Sequence, residues 1–159
     1  MNENEYAWDD DWPSVEPTEI LPRLWMGGTS EDRYIGGDVP PDHYDFAYEY
    51  DFIVTLYADA MPAPWGTVEF RLGFPDGELS GYDAARCQEM AHLAWQHWKQ
   101  GRTVLVRCQQ GVNRSGLVTA MILMFDGMGA EEAVALLRER RGPLVLNNPS
   151  CVDFLSAST

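Results

Sequence analysis

Residues 103–116 read Thr103-Val104-Leu105-Val106-Arg107-Cys108-Gln109-Gln110-Gly111-Val112-Asn113-Arg114-Ser115-Gly116. The opening of this stretch, 103–106, is a short, β-branched, nearly continuous apolar run, the pattern of a buried central strand. Residues 114–125 are apolar over more than three turns and predict a buried helix. Between them, 108–113 is a loop with one glycine. Strand, tight loop and helix in direct succession are the start of a parallel α/β unit. In such sheets ligands lie beyond the carboxyl ends of the strands, which is where this loop falls.

The flanking sequence extends the same pattern. Residues 20–26 are apolar and stop at Gly27-Gly28, as for a first strand and turn. Residues 36–50 hold Gly36-Gly37, Pro40-Pro41 and several aromatic residues, and read as a long surface loop or a short helix. Residues 51–57 are a strand by β-branched and aromatic content, and 67–72 alternate as a second one. A breaker-rich loop, 73–81, follows. Residues 82–100 predict a helix with Cys87, Met90, Ala91, Ala94 and Trp98 on one stripe, closed by Gly101. A further helix spans 130–141, with Ala133, Val134, Leu136 and Leu137 on its apolar side, and a last one begins near Pro149. Strands alternating with helices give an α/β fold: a central, mostly parallel sheet of four to five strands flanked by helices. The expected organisation is an acidic tail, 1–18, and one domain, 19–159.

Composition limits the partners. The chain has 159 residues, with 11 Lys+Arg against 25 Asp+Glu and a formal net charge of -14. This balance argues against a broad basic surface for nucleic acid or anionic membrane, so any bound anion is expected to be held locally. There are three cysteines, Cys87, Cys108 and Cys151, with no C-x-x-C spacing. Residues 1–11 are acidic and lack the basic and apolar regions of a secretory signal. A reducing, cytoplasmic setting is the expectation. No run of 18 apolar residues is present, so no membrane span is expected. His43, His92 and His97 do not form a ligand set, because 92 and 97 fall on different sides of a helix. No metal or cofactor is expected.

The loop carries the chemistry. Cys followed by Gly at +3, Arg at +6 and Ser at +7 arises by chance less than about once in a thousand such chains. A loop between a strand end and a helix N-terminus turns successive N–H groups inward and makes an anion nest. Gly111 permits the curl. Arg114 closes the ring and grips two phosphate oxygens with its planar fork, while the backbone of Gln109, Gln110, Gly111, Val112 and Asn113 cradles the rest. Cys108 lies at the floor, where amides and helix dipole favour thiolate over thiol. A thiolate beneath a phosphate is placed to attack phosphorus and form phosphocysteine. Ser115 is placed to donate a hydrogen bond to Cys108 and help it leave. The proton for the leaving oxygen has three upstream candidates, Asp76, Glu78 and Asp83. Asp76, in a turn-forming loop after a strand, fits best. Cys87 and Cys151 read as core residues, either of which is a possible redox partner of Cys108.

These residues resemble the dual-specificity branch of the protein tyrosine phosphatase superfamily, whose hallmark is C-x5-R followed by Ser or Thr. Cys108 and Arg114-Ser115 match it, and the resemblance runs from residues 20–24 to 146–149. Asp76 precedes Cys108 by 32 residues, where the family has its general-acid loop (108 − 76 = 32). The resemblance implies a protein tyrosine phosphatase-like fold, two-step catalysis without metal, and hydrolysis of phosphomonoesters. Lipid-phosphate members often carry lysines within the loop; residues 109–113 have none. The family has His before the nucleophile, and here Arg107 stands there, cationic and a candidate aid to the thiolate.

The expected substrate is a phosphorylated protein or peptide, with phosphotyrosine and also phosphoserine or phosphothreonine in view, acted on by a monomer. Alternatives on the same machinery are an RNA 5′-phosphate, a phosphoinositide or a small-molecule phosphate. A phosphate-binding module without turnover is the alternative from another class. Nucleic-acid and membrane partners are not expected.

Overall fold

In the computed structural model the described residues are 12–29 and 49–158. The readings of residues 36–48, of His43 and of the first eleven residues lie outside them. The elements are β1 (Thr18–Leu21), β2 (Leu24–Gly27), β3 (Phe52–Thr55), β4 (Val68–Arg71), α1 (Gly81–Lys99), β5 (Val104–Arg107), α2 (Arg114–Phe125), α3 (Ala130–Arg141) and α4 (Pro149–Ala157). They make one five-stranded sheet in the order β1-β2-β5-β3-β4. Only the β1–β2 pair is antiparallel; the β2–β5, β5–β3 and β3–β4 pairs are parallel.

One expected strand is two. Residues 20–26 turn back on themselves between Leu21 and Leu24, with Arg23 at φ 68°, so the segment is a tight hairpin and its first strand begins at Thr18. A run this short cannot signal a reversal by hydrophobicity alone, because both strands bury apolar residues on the same face.

Strand alternation sorts the side chains. Leu24 and Met26, Phe52 and Val54, and Val104 and Val106 point to one face, where residues of all four helices complete the main core. Ile53 and Leu105 point to the other, with Tyr50 and Trp25. β5 is central and wholly buried, as its apolar run predicts. Helix α2 is buried from Arg114 through Leu123 and packs on the sheet and on α1, α3 and α4. A helix buried on every side holds its first residue in one place. That first residue is Arg114.

Candidate active site

At Cys108 the chain leaves β5 and curls through residues 109–113 into α2. Every carbonyl of the curl is engaged from outside. Gln109 O accepts from Thr29 N (3.0 Å), and Val112 O from Leu146 N (3.2 Å). Asn113 O accepts from Leu117 N at 2.8 Å. Gly111 O accepts from Arg141 Nε at 2.7 Å, and Gln110 O from Arg141 Nη2 at 3.4 Å. With its carbonyls tied outward, such a curl turns its amides to the interior. Gly111 N–H donates to Cys108 Sγ at 3.2 Å.

Glycine is required at two places here. Gly111 sits at φ +72°, and a Cβ there would run into the Arg141 guanidinium and the backbone of Gly27 and Gly28. A Cβ on Gly28 would come within 2.7 Å of Gln109 O. The end of β2 is therefore pressed against the loop.

Around the sulfur the expected residues converge. Cys108 is buried, its thiol donates to Ser115 Oγ at 3.2 Å, and Ser115 is itself fully buried. Arg114 is 8% exposed, and its Nη1 donates to Phe74 O at 2.9 Å. Its Nε is buried and has no hydrogen-bond partner, and its guanidinium carbon lies 5.5 Å from the centre of the Tyr57 ring. An unpaired buried guanidinium N–H is costly unless something anionic satisfies it.

Asp76 is brought to the same place. Its Oδ2 accepts from Asn113 Nδ2 at 3.1 Å and its Oδ1 from Asn148 Nδ2 at 3.3 Å. Glu78 and Asp83 are not so held; Asp83 lies in the first turn of α1, its N–H capped by Ser80. Burial pushes the Cys151 thiol up to about 11, helped by the charges of Asp76 and Cys108 nearby. Burial also pushes the Cys87 thiol up to about 12. Both are buried core residues whose thiol form is favoured at neutral pH.

Arg107 does not face the sulfur. Adjacent residues of a strand point to opposite faces, and Arg107 lies on the Leu105 side. Its Nε donates to Thr55 Oγ1 at 3.0 Å and its Nη2 to Met61 O at 2.6 Å, and it pairs with Glu69 Oε2 at 3.1 Å. Burial alone would raise the Glu69 carboxyl, but the Thr55 hydroxyl, the Ala63 N–H, Arg107 and Arg71 together hold it below its ordinary value. The cation next to the nucleophile in sequence thus braces the β3–β4 connection.

Sequence reasoning passed over Arg141, Asn147 and Asn148. Arg141 is buried at the end of α3 and also reaches Ser14 O (2.8 Å), Glu16 O (2.7 Å) and Thr18 Oγ1 (3.0 Å). Burial lowers its pKa to about 10, against the pull of the Cys108 charge, so it stays cationic at neutral pH. Among the described residues no cluster of His, Cys, Asp and Glu could hold a metal ion, and no helix is long and apolar enough to cross a membrane.

A family model described as the dual specificity phosphatase catalytic domain matches residues 88–157. No curated protein sequence matches the chain. Among solved structures, Tk-PTP in its active form is 22% identical, covering 93% of this chain and 99% of its own, with a TM-score of 0.70. Human DUSP28 is 19% identical over 92% of this chain and 97% of its own, TM-score 0.71. The human tyrosine phosphatase-like serine/threonine/tyrosine-interacting protein is 18% identical over 91% and 95%, TM-score 0.69. At these identities the likeness establishes the fold.

Proposed function

We propose that this protein, a dual-specificity phosphatase-like member of the cysteine-dependent protein tyrosine phosphatase superfamily, hydrolyses phosphotyrosine, and also phosphoserine and phosphothreonine, in proteins through a phosphocysteine intermediate. One observation carries the reading. The curl after β5 sets Cys108 Sγ against the Gly111 amide while Arg114, at the first turn of α2 where the curl ends, keeps a buried N–H unpaired.

In the first step the Cys108 thiolate attacks phosphorus, and the S–P bond forms as the P–O bond to the leaving group breaks. Asp76 gives its proton to the departing oxygen, a role worth about 10²–10⁴-fold when the acid is positioned. The loop amides and Arg114 hold the phosphoryl oxygens as charge redistributes over them. In the second step water attacks phosphorus, Asp76 takes its proton, and the sulfur leaves as thiolate. Ser115 donates to that thiolate. The hydrogen bond drawn from the thiol to Ser115 Oγ reverses direction when the sulfur is ionised.

The absence of lysine in residues 109–113 and the net charge of -14 favour a singly phosphorylated residue over polyanionic substrates. The three free thiols, two of them unreactive, are consistent with a reducing cytoplasmic setting, in which the protein is proposed to act as a monomer. The test is Cys108→Ser assayed on a phosphopeptide panel and on an aryl phosphate. Turnover is expected to fall below detection while phosphopeptide binding persists. Full turnover by Cys108→Ser would remove the mechanism.

A further inference from the structure

Asn113 stands at the N-cap position of α2, and asparagine is among the best residues for that post. Yet its side chain makes no capping bond. Each of its polar atoms is used elsewhere. Nδ2 donates to Asp76 Oδ2 at 3.1 Å and to Asn147 Oδ1 at 3.0 Å. Oδ1 accepts from Asn148 N at 3.0 Å. From the other side Asn148 Nδ2 donates to Asp76 Oδ1 at 3.3 Å and to Gly77 O at 2.8 Å, while Asn148 Oδ1 caps α4 by accepting from Ser150 N. Both oxygens of Asp76 are thus gripped, from two different elements.

From this arrangement we propose that Asn113 and Asn148 are positioning residues that clamp Asp76 over the phosphate loop, joined to each other through Asn147 and the α4 N-terminus. The inference rests on Asp76 being the general acid. Asp76 belongs to a loop rich in turn residues, anchored on either side of it by Phe74 in the main core and Leu79 packed against that core. Two further bonds complete the latch: Arg114 Nη1 to Phe74 O at 2.9 Å, and Leu79 N to Ser150 Oγ at 2.9 Å. Fixing a carboxyl from both sides matters because a displacement of about 1 Å can cost a catalytic group 10²-fold. Helix α2 goes uncapped because Asn113 Oδ1, the atom that would accept from its first turn, accepts from Asn148 N instead.

A positioned acid is needed most when the leaving group is a poor one. The readout is therefore the ratio of kcat on an alkyl phosphate to kcat on an activated aryl phosphate. Asn148→Ser removes the amide donor and keeps a good cap on α4. Asn113→Ala removes the grip from α2. Each is expected to lower the ratio about tenfold, with a smaller change in KM, whereas Asp76→Asn lowers it about 10²-fold or more. If Asn148 acts through Asp76, the double variant Asn148→Ser with Asp76→Asn has the ratio of Asp76→Asn alone. Competitive inhibition by inorganic phosphate reports that the loop is intact in each variant. A ratio within twofold of the parent in both asparagine variants, with Asp76→Asn impaired, overturns the clamp and leaves the acid in place. An unaltered ratio in Asp76→Asn removes the acid assignment, and the clamp with it.

Discussion

Two buried cationic clusters sit back to back at the end of β5, one on each face of the sheet. On one face Arg107 is saturated by Thr55, Met61 and Glu69. On the other Arg114 gives one N–H to Phe74 and leaves Nε without a partner. The two are seven residues apart in sequence (114 − 107 = 7) and equally hidden, at 6% and 8% exposed. What separates them is completeness. A satisfied arginine fixes architecture, whereas a buried one with an idle donor is poised for an anion. Arg141 lies between these cases: it touches the loop, but spends its donors on carbonyls.

The difference yields three tests. Arg114→Lys should have the largest effect, because an ammonium cannot reproduce the planar fork. Turnover of an aryl phosphate is expected to fall by about 10³-fold with thermal stability nearly unchanged. A drop below tenfold would erase the distinction drawn here. Next, Arg141→Met strips partners from the carbonyls of Ser14, Glu16, Gln110 and Gly111. Denaturant unfolding should show a loss of about 3 kcal/mol, with turnover falling as the curl loosens.

The smallest effect belongs to the saturated cluster. Glu69→Gln is expected to cost about 1 kcal/mol at neutral pH while altering turnover less than threefold. Its pH dependence has a definite sign. The Glu69 carboxyl is held below its ordinary 4.5 in the folded protein, so its contribution is complete above that value. The contribution disappears as pH falls through the depressed folded value. Parent and variant should therefore differ in unfolding free energy at pH 7 and converge in acid. A constant difference across that range would mean Glu69 acts through shape alone.

The strand–loop–helix unit was legible because its signal is contiguous: an apolar run, a glycine and an arginine at fixed spacing, and an apolar helix. Cys108, Arg114 and Ser115 come together through local chain geometry, and Asp76, preferred over Glu78 and Asp83 for its turn-forming loop after a strand, is the one of the three that Asn113 and Asn148 hold. The residues that brace the loop left no such mark. Arg141 ends α3 beside Arg138 and Arg140, and a helix terminus favours several basic residues for dipole reasons alone. Only the fold reveals that one of the three is buried. Asn148 before Pro149 signals a helix start, which it is, and that role conceals the second one. Arg107 is a candidate aid to the nucleophile by sequence proximity alone, and strand alternation turns it to the opposite face, toward Thr55, Met61 and Glu69.

Gly111 O and the carbonyls of Ser14 and Glu16 all depend on the single guanidinium of Arg141. Opening the curl therefore strands donors of the side chain that also secures the polypeptide leading into β1. Such coupling makes local fraying costly, and amide exchange of the curl and of the N-terminal edge of the sheet is expected to slow together as one unit. The curl thus draws its rigidity from residues 14–18, far from it in sequence.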